Sequence, residues 1–420
     1  MKNIYILLFV FISSLQPVFA AETITNTTFA NGVDVSWLTQ MEAGGRKFYN
    51  AAGTQTECMA LLKSIGMNSI RLRVWVNPTD GWCNAQDMLI KAIRANNLGM
   101  RIMIDFQYSD SWADPSNQTK PAAWSTLSFA DLKTAVATHT TDVLNQLKVN
   151  NITPEWVQVG NETSNGMLWE DGKASTNMAN YAALTNAGYN AVKAVFPTTK
   201  VVVHINNAYN ISLFQWIFKG LKDNGGKWDV IGMSVYPPWY TTANDWANCN
   251  IATLATMNNM VSTYGCEVMV VECGMSWDSP AACKSFLTDL IAKTKSVSGG
   301  KGTGVFYWEP ESYLNYSNYS LGAFDNSGKP TIALDAFKTQ TETTSIIDSE
   351  LKYGWNDTSK TIDFNYDVTD LKIINASGTS IIEYAYTKQI DLTTLQKGIY
   401  IIQATKKENN KSYTFKFIKN

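Results

Sequence analysis

Eight short apolar runs recur along the first three-quarters of the chain, spaced roughly 25–55 residues apart. They are Gly32–Ser36, Ser69–Val76, Met100–Phe106, Glu155–Val159, Lys200–Ile205, Val230–Tyr236, Glu267–Val271 and Gly304–Trp308. Helical patterns lie between most of them, among them Thr56–Ser64, Gln86–Asn96, Asp131–Leu147, Asn177–Val195 and Ala281–Lys293. Strands buried on both faces read as continuous apolar runs, and parallel strands need a helical crossover between them. The alternation therefore predicts an α/β fold, a (β/α)8 TIM barrel of about 250 residues or more. A doubly wound open sheet is the alternative. It usually carries a Gly-rich phosphate turn after the first strand, and none stands here.

The runs are chemically loaded at one end. Their C-terminal neighbours include Asp34 and Ser36, Arg73, Asp105 and Gln107, Asn161 and Glu162, His204, Ser234 and Tyr236, Glu272, and Trp308 and Glu309. Barrel chemistry collects on that face. Glu162 and Glu272 follow the fourth and seventh runs and would face each other across the mouth. Two carboxylates are the minimum equipment for cleaving a glycosidic bond, one protonating the leaving oxygen while the other attacks. Burial and mutual repulsion would separate their pKa values. One strand-end Glu alone reads equally well as a structural ion pair; a matched pair favours chemistry.

Other residues support that reading. Asn161 can hydrogen-bond a substrate hydroxyl beside the reacting carbon. Arg71 and Arg73 share one face of the second run, and either could pair with the attacking carboxylate. Arg73, nearer the mouth, is the favoured partner. Tyr236 could donate to the same carboxylate. The chain has 14 Trp, and Trp112, Trp169, Trp239, Trp277 and Trp308 follow strands three, four, six, seven and eight, where indole faces suit the C–H faces of sugars. Asp105, Asp110, Asp114, Glu309 and Glu311 could bind hydroxyls or hold loops. Asp114, before Pro115, reads equally as a turn former.

A formal net charge of -2 argues against a nucleic-acid partner and leaves no basic membrane footprint. Residues 1–20 read as a secretory signal, with Lys2, the apolar Ile4–Ile12 and small residues at Val18-Phe19-Ala20. The mature chain is thus expected to be exported (periplasm, cell surface or outside the cell) and not inserted in a membrane. Six Cys in an exported chain predict disulfides, with nearest neighbours paired as 58–83, 249–266 and 273–283. No spacing resembles a zinc site, and His139, in an amphipathic helix, is expected to be structural. The barrel is expected over 21–338 and a Thr-rich linker over 339–346. Period-two alternation in Leu371–Asn375, Ser380–Tyr386, Gly398–Ala404 and Tyr413–Ile418 predicts a small all-β C-terminal domain, a β-sandwich over 347–420. Its expected role is sorting or spacing.

Longer motifs sharpen this. Arg71-Leu72-Arg73-Val74-Trp75-Val76-Asn77-Pro78, Asp105-Phe106-Gln107-Tyr108-Ser109-Asp110-Ser111-Trp112-Ala113-Asp114-Pro115, Val157-Gln158-Val159-Gly160-Asn161-Glu162, Gly166-Met167-Leu168-Trp169 and Tyr307-Trp308-Glu309-Pro310 closely resemble the endo-β-1,4-galactanases of glycoside hydrolase family 53. The likeness spans about Phe29 to Phe337. It implies a retaining hydrolase with Glu162 as acid/base and Glu272 as nucleophile, acting on β-1,4-galactan, the side chain of type I pectic arabinogalactan. The substrate-binding set expected around the pair is Arg73, Asp105, Gln107, Trp112, Asp114, Asn161, Trp169, His204, Tyr236, Trp239 and Trp308. A monomer without cofactor is expected. The same mechanism on another β-linked glycan, or an inactive glycan-binding barrel, are the rival readings; two intact Glu argue against the last.

Two departures stand out. Gln107 replaces the family's usual His; it can donate and accept hydrogen bonds but carries no charge. Some bacterial members bind calcium through long loops after strands seven and eight, whereas Cys273–Ala282 is short and lacks spaced oxygen ligands, so no metal is expected. More loosely, Asp367–Asn420 resembles the C-terminal sorting domains of secreted Bacteroidetes proteins, through Leu371-Lys372-Ile373-Ile374-Asn375, Ile390-Asp391-Leu392, Gly398-Ile399-Tyr400-Ile401-Ile402 and the basic end at Lys416 and Lys419.

Overall fold

The computed structural model describes residues 29–241, 245–338, 351, 353–356, 359–375, 379–407 and 411–419. The expected signal segment and linker lie outside them. Strands β1 (Ala30–Asp34), β2 (Ser69–Val74), β3 (Arg101–Phe106), β4 (Trp156–Val159), β5 (Lys200–Ile205), β6 (Val230–Val235), β7 (Glu267–Cys273) and β8 (Gly302–Trp308) are all parallel and close into one barrel. Closure comes from β1 against β8, with Ala30 opposite Gly304 and Asp34 opposite Trp308. That pairing starts β1 two residues before the apolar run does.

Helices follow the strands. Cys58–Ile65, Ala85–Asn97, Phe129–Val149, Ala174–Val195, Ile211–Asp223, Trp246–Tyr264 and Pro280–Lys295 are the long ones among the described residues. Side-chain caps start several of them: Asn84 accepts from the Asp87 amide, Ser128 from Asp131 and Asn210 from Leu213. Left-handed Gly66 and Gly265 end two others.

Alternation along the strands sorts the side chains. Leu72, Ile104, Val157, Val203, Ile231, Val268 and Val270 point outward and bury against the helices in the main core. Inside the barrel a smaller apolar plug is built from Ala30, Met103, Trp156, Val202, Val230, Met269, Val271 and Phe306. Gly32 makes room for that plug, since a Cβ there would lie 2.2 Å from the Phe306 ring.

The residues beyond Lys338 belong to a second compact unit. It is antiparallel: β9 (Tyr353–Asn356), β10 (Thr361–Asn375), β11 (Ser380–Asp391), β12 (Gly398–Lys406) and β13 (Lys411–Lys419). The described strands form a single five-stranded sheet in the order β11-β10-β12-β13, with β9 on β10. The register of β10 breaks between Asp363 and Val368, so its first part pairs β9 and its second part β12. The unit's own core gathers Ile362, Phe364, Val368, Leu371, Ile373 and Ile402.

The expected disulfides are not formed. All six cysteines are free thiols. Cys83, expected to bridge to Cys58, instead accepts a hydrogen bond from Arg73 at 3.3 Å and lies 3.5 Å from the Ser36 carbonyl. Cys283 meets the Tyr307 hydroxyl at 3.6 Å, and burial raises the thiols of Cys58, Cys249 and Cys273, which favours the neutral form. His139 is structural as expected. It packs edge-on to Phe106 and Trp124, and burial lowers its pKa to about 4.

Candidate active site

Above the apolar plug the inward positions become polar. Asp34, Arg71, Asp105, Gln158, His204 and Ser234 come from β1 to β6 in turn and are all buried. Arg71 is the hub. Its guanidinium lies 2.7 Å from Asp34, 3.0 Å from Asp105 and 2.9 Å from Glu272. It also donates to Asn161 at 2.9 Å and to Gln158 at 3.1 Å. Burial opposes its charge, but Asp105, Glu272 and Asp34 outweigh that and raise its pKa. Burial also pushes Asp105 up to about 6, against the pull of Arg71.

Two backbone irregularities aim the carboxylates. On β7, Met269 and Val271 already point into the barrel, so strict alternation would turn Glu272 outward. The register with β6 slips there, Met233 facing Val270 but Ser234 facing Glu272. This bulge turns Glu272 into the mouth. Glu162 lies past the end of β4, after Gly160 at φ 82° and itself at φ 43°. Gly160 is required on two counts: its positive φ, and a Cβ there would lie 2.6 Å from Thr163. A non-glycine residue held left-handed is a local strain of the kind stored at functional sites.

The two carboxylates approach closely. Glu162, Glu272 and His204 each bring a ligating atom within 4.8 Å of the others, the one such group among the described residues. Both ring nitrogens of His204 already have protein partners, Nδ1 the Glu162 amide and Nε2 the Ser234 hydroxyl. Burial raises Glu162 to about 7, against the Ser234 hydroxyl, which donates to it at 2.6 Å. Burial also raises Glu272, with repulsion from Glu162 adding and Arg71 opposing. Like charges this close are not both carried. The ion pair with Arg71, and the Tyr236 hydroxyl donating at 3.3 Å, both favour the charged form of Glu272.

Arg73 does not make the contact expected of it. Two residues beyond Arg71, it overshoots Glu272 and meets Glu309 at 3.4 Å. Its guanidinium lies under an aromatic wall, 4.3 Å from the ring centre of Trp112 and 4.8 Å from Trp75. Trp37 packs edge-on to Trp112 and Trp308 at 5.8 and 5.0 Å. Gln107 sits behind the same wall: its Oε1 accepts from Trp75 Nε1 at 2.8 Å and the Ala113 amide at 3.2 Å. Burial pushes Glu309 up to about 8, with repulsion from Asp34 adding and Arg73 opposing.

Beside Glu162 opens a cavity of about 470 Å³ lined by Asp114, Pro115, Ser116, Asn206, Asn207, Tyr209 and Trp239. Trp239 is 59% exposed and leans on Tyr236, ring centres 4.3 Å apart. Asp114 closes a turn through the Ser116 and Asn117 amides, as its position before Pro115 suggests.

Of the expected site residues, Asn161 and Asp105 meet Glu272 on Arg71, Tyr236 reaches Glu272, and His204 faces the Glu162 amide and Asn161. His204, Asp105 and Arg73 are 0% exposed, which places them behind the cleft surface. Trp112 and Trp308 form the half-buried wall, while Asp114 and Trp239 line the cavity. Trp169 is tied locally, its Nε1 to the Asn165 carbonyl, and Trp277 through its amide to Ser320. Gln158 was missed, and Ser234, noted only as part of a loaded strand end, was given no role. The period-two step from Trp156 and from Tyr236 on the same strand faces was the available signal.

Residues 30–352 match the family model of glycosyl hydrolase family 53. Residues 357–420 match that of the secretion system C-terminal sorting domain, which marks an exported protein. A probable arabinogalactan endo-β-1,4-galactanase A from Neosartorya fischeri is 34% identical over 302 residues, 66% of this chain and 83% of its own length. The arabinogalactan endo-β-1,4-galactanase of Thermothelomyces thermophilus is 31% identical over 337 residues, 73% of this chain and 98% of its own. A solved structure from work on two fungal β-1,4-galactanases superposes with a TM-score of 0.68 at 30% identity, covering 74% of this chain and 99% of that one.

Proposed function

Because the chain belongs to glycosyl hydrolase family 53, and so is a glycoside hydrolase, we propose that it cleaves β-1,4-galactan internally by double displacement. Glu272 attacks the anomeric carbon while Glu162 protonates the leaving oxygen. Water then opens the glycosyl-enzyme with Glu162 as base. The observation that carries this is the separation of the pair. Nearest oxygens within 4.8 Å of each other suit the roughly 5–5.5 Å carboxyl spacing of retaining enzymes better than the roughly 6.5–9.5 Å of inverting ones.

The partition of charge supports the roles. Arg71 and Tyr236 hold a negative charge on Glu272, as a nucleophile requires, while Glu162 is raised to about 7, suited to an acid that must later act as base. Trp112, Trp308 and Trp239 offer aromatic faces to successive sugars, and Asn161, held by Arg71, presents its amide beside the reacting centre. The names of the relatives point to arabinogalactan as the substrate, and the galactan meant here is type I, that of pectin. Residues 1–20 start export, residues 339–346 link the units, the sorting tail completes secretion, and the barrel acts as a monomer without cofactor.

The test is product release on a panel of β-1,4-galactan, β-mannan and β-glucan. Galacto-oligosaccharides released early from galactan alone are expected. Turnover of mannan or glucan in preference would sink the substrate assignment.

A further inference from the structure

Behind Glu162 stands a chain of hydrogen bonds that no step of double displacement consumes. His204 Nε2 lies 2.7 Å from the Ser234 hydroxyl, and that hydroxyl lies 2.6 Å from Glu162 Oε1. At the far side of the ring, Nδ1 faces the Glu162 backbone N–H at 3.3 Å and the Gln158 amide nitrogen at 3.1 Å. His204 is fully buried, and burial with the nearby Arg71 charge holds its pKa well below the ordinary value, so the ring carries a single proton.

Resting on the assignment of Glu162 as acid/base, we infer that His204 and Ser234 are positioning residues that direct the acid proton of Glu162 onto Oε2, the oxygen not bonded to Ser234. The Glu162 backbone N–H points at Nδ1 and is satisfied only if Nδ1 accepts. Gln158 Nε2 divides its two protons among Asp105 Oδ1, the Gly160 carbonyl, Asn161 Oδ1 and Nδ1, and Asn161 Oδ1, 3.0 Å from Nδ1, already accepts from Arg71 at 2.9 Å. The ring proton therefore sits on Nε2 and is donated to Ser234 Oγ. With its oxygen so engaged, the Ser234 hydroxyl donates to Glu162 Oε1.

Both protonation states of Glu162 then leave Oε1 as an acceptor, and the proton that is gained and lost resides on Oε2. In the first step that proton goes to the leaving oxygen, and in the second it is taken from water. No proton travels through the relay. The opposite tautomer would reverse every bond: Ser234 would donate to His204, and Glu162 would turn its proton inward, where it cannot reach substrate. The other charged groups facing Glu162 are Arg71 from β2, Asp105 from β3, Asp114 from the loop after β3 and Glu272 from β7. None of them contacts Oε1, so they shift its proton affinity without choosing between its oxygens.

The test compares wild type, Glu162→Gln, Ser234→Ala, Ser234→Thr and His204→Phe on galactan and on a dinitrophenyl β-1,4-galactobioside, whose leaving group needs no proton. Ser234→Ala should lose roughly tenfold to a hundredfold in kcat/KM on galactan, the size of one charge-assisted hydrogen bond. Its alkaline limb should move to higher pH, because the lost donor favoured the carboxylate. The rate of glycosyl-enzyme formation from the aryl substrate should stay at the wild-type value. Ser234→Thr, which keeps the hydroxyl, should restore limb and rate. A Ser234→Ala enzyme with an unmoved limb, or one equally slow on both substrates, would overturn the relay. A wild-type profile for His204→Phe would overturn the role of His204. If Glu162→Gln itself showed no difference between the substrates, the acid/base assignment would fall, and the relay with it.

Discussion

Arg71 and Glu272 form a buried ion pair at 2.9 Å across the barrel interior, whereas Arg73, one inward position further along the same strand, pairs with Glu309. The two arginines thus serve different carboxylates. Arg71 belongs to the reacting pair, and Arg73 to the aromatic wall beside it. Arg71→Lys keeps a charge but loses the planar fork that reaches Asp34, Asp105 and Glu272 together. The pKa of Glu272 should rise, so the acidic limb of kcat/KM should move to higher pH. The corresponding Arg73→Lys limb should stay in place. The two pH profiles decide it.

Removing either carboxylate should have opposite stereochemical consequences with azide. Glu272→Ala should abolish galactan cleavage and, with azide attacking in place of the nucleophile, give the α-galactosyl azide from an activated substrate. Glu162→Ala should lose about 10²–10⁴-fold on galactan, and azide should then give the β product from the glycosyl-enzyme. Proton NMR of the azides reads the anomers, and a swapped pattern would exchange the two roles.

Stability should fall as pH rises from acid toward alkaline. Asp105, Glu162 and Glu309 have folded pKa values of about 6, 7 and 8, above the roughly 4 of unfolded carboxyls. Between those values the folded state binds more protons, so their contribution is complete below about pH 4 and is lost as each folded pKa is passed. Thermal melts of Glu309→Gln should show a smaller drop in Tm from pH 5 to pH 8 than wild type. An equal drop would mean that Glu309 is not held neutral.

Trp239→Ala should weaken substrate binding without weakening the fold, since the ring is mostly exposed. A lost stacking contact of about 0.5–1.5 kcal/mol corresponds to roughly a 2- to 13-fold rise in KM. Kinetics on galacto-oligosaccharides, with a melt as control, separate this from a folding defect.

The thiols give a direct chemical count. Denatured, unreduced protein should titrate six free thiols, and dithiothreitol should leave Tm unchanged. Fewer thiols would restore the disulfide expectation.

The barrel was readable in the chain because short continuous apolar runs for strands, a longer amphipathic period for helices and the alternation of the two are local properties. The same locality placed Asn161-Glu162 and Glu272 at strand ends. What alternation could not say is which way each side chain faces where the alternation breaks. It would turn Glu272 away from the barrel, beside the inward Val271, and only the slipped register between β6 and β7 brings it in. A bulge is a property of a strand pair, invisible in either strand alone.

The partner of Glu272 was open for a similar reason. Arg71 and Arg73 share one strand face, and nearness to the mouth favoured Arg73, whereas the folded chain sets Arg71 beside Glu272 and Arg73 beside Glu309. Residue types and spacing determined that this chain has two strand-end carboxylates in a barrel with an aromatic mouth. Tertiary structure alone decided which arginine pairs with Glu272 and which hydroxyl touches Glu162, because those contacts come from strands far apart in the chain.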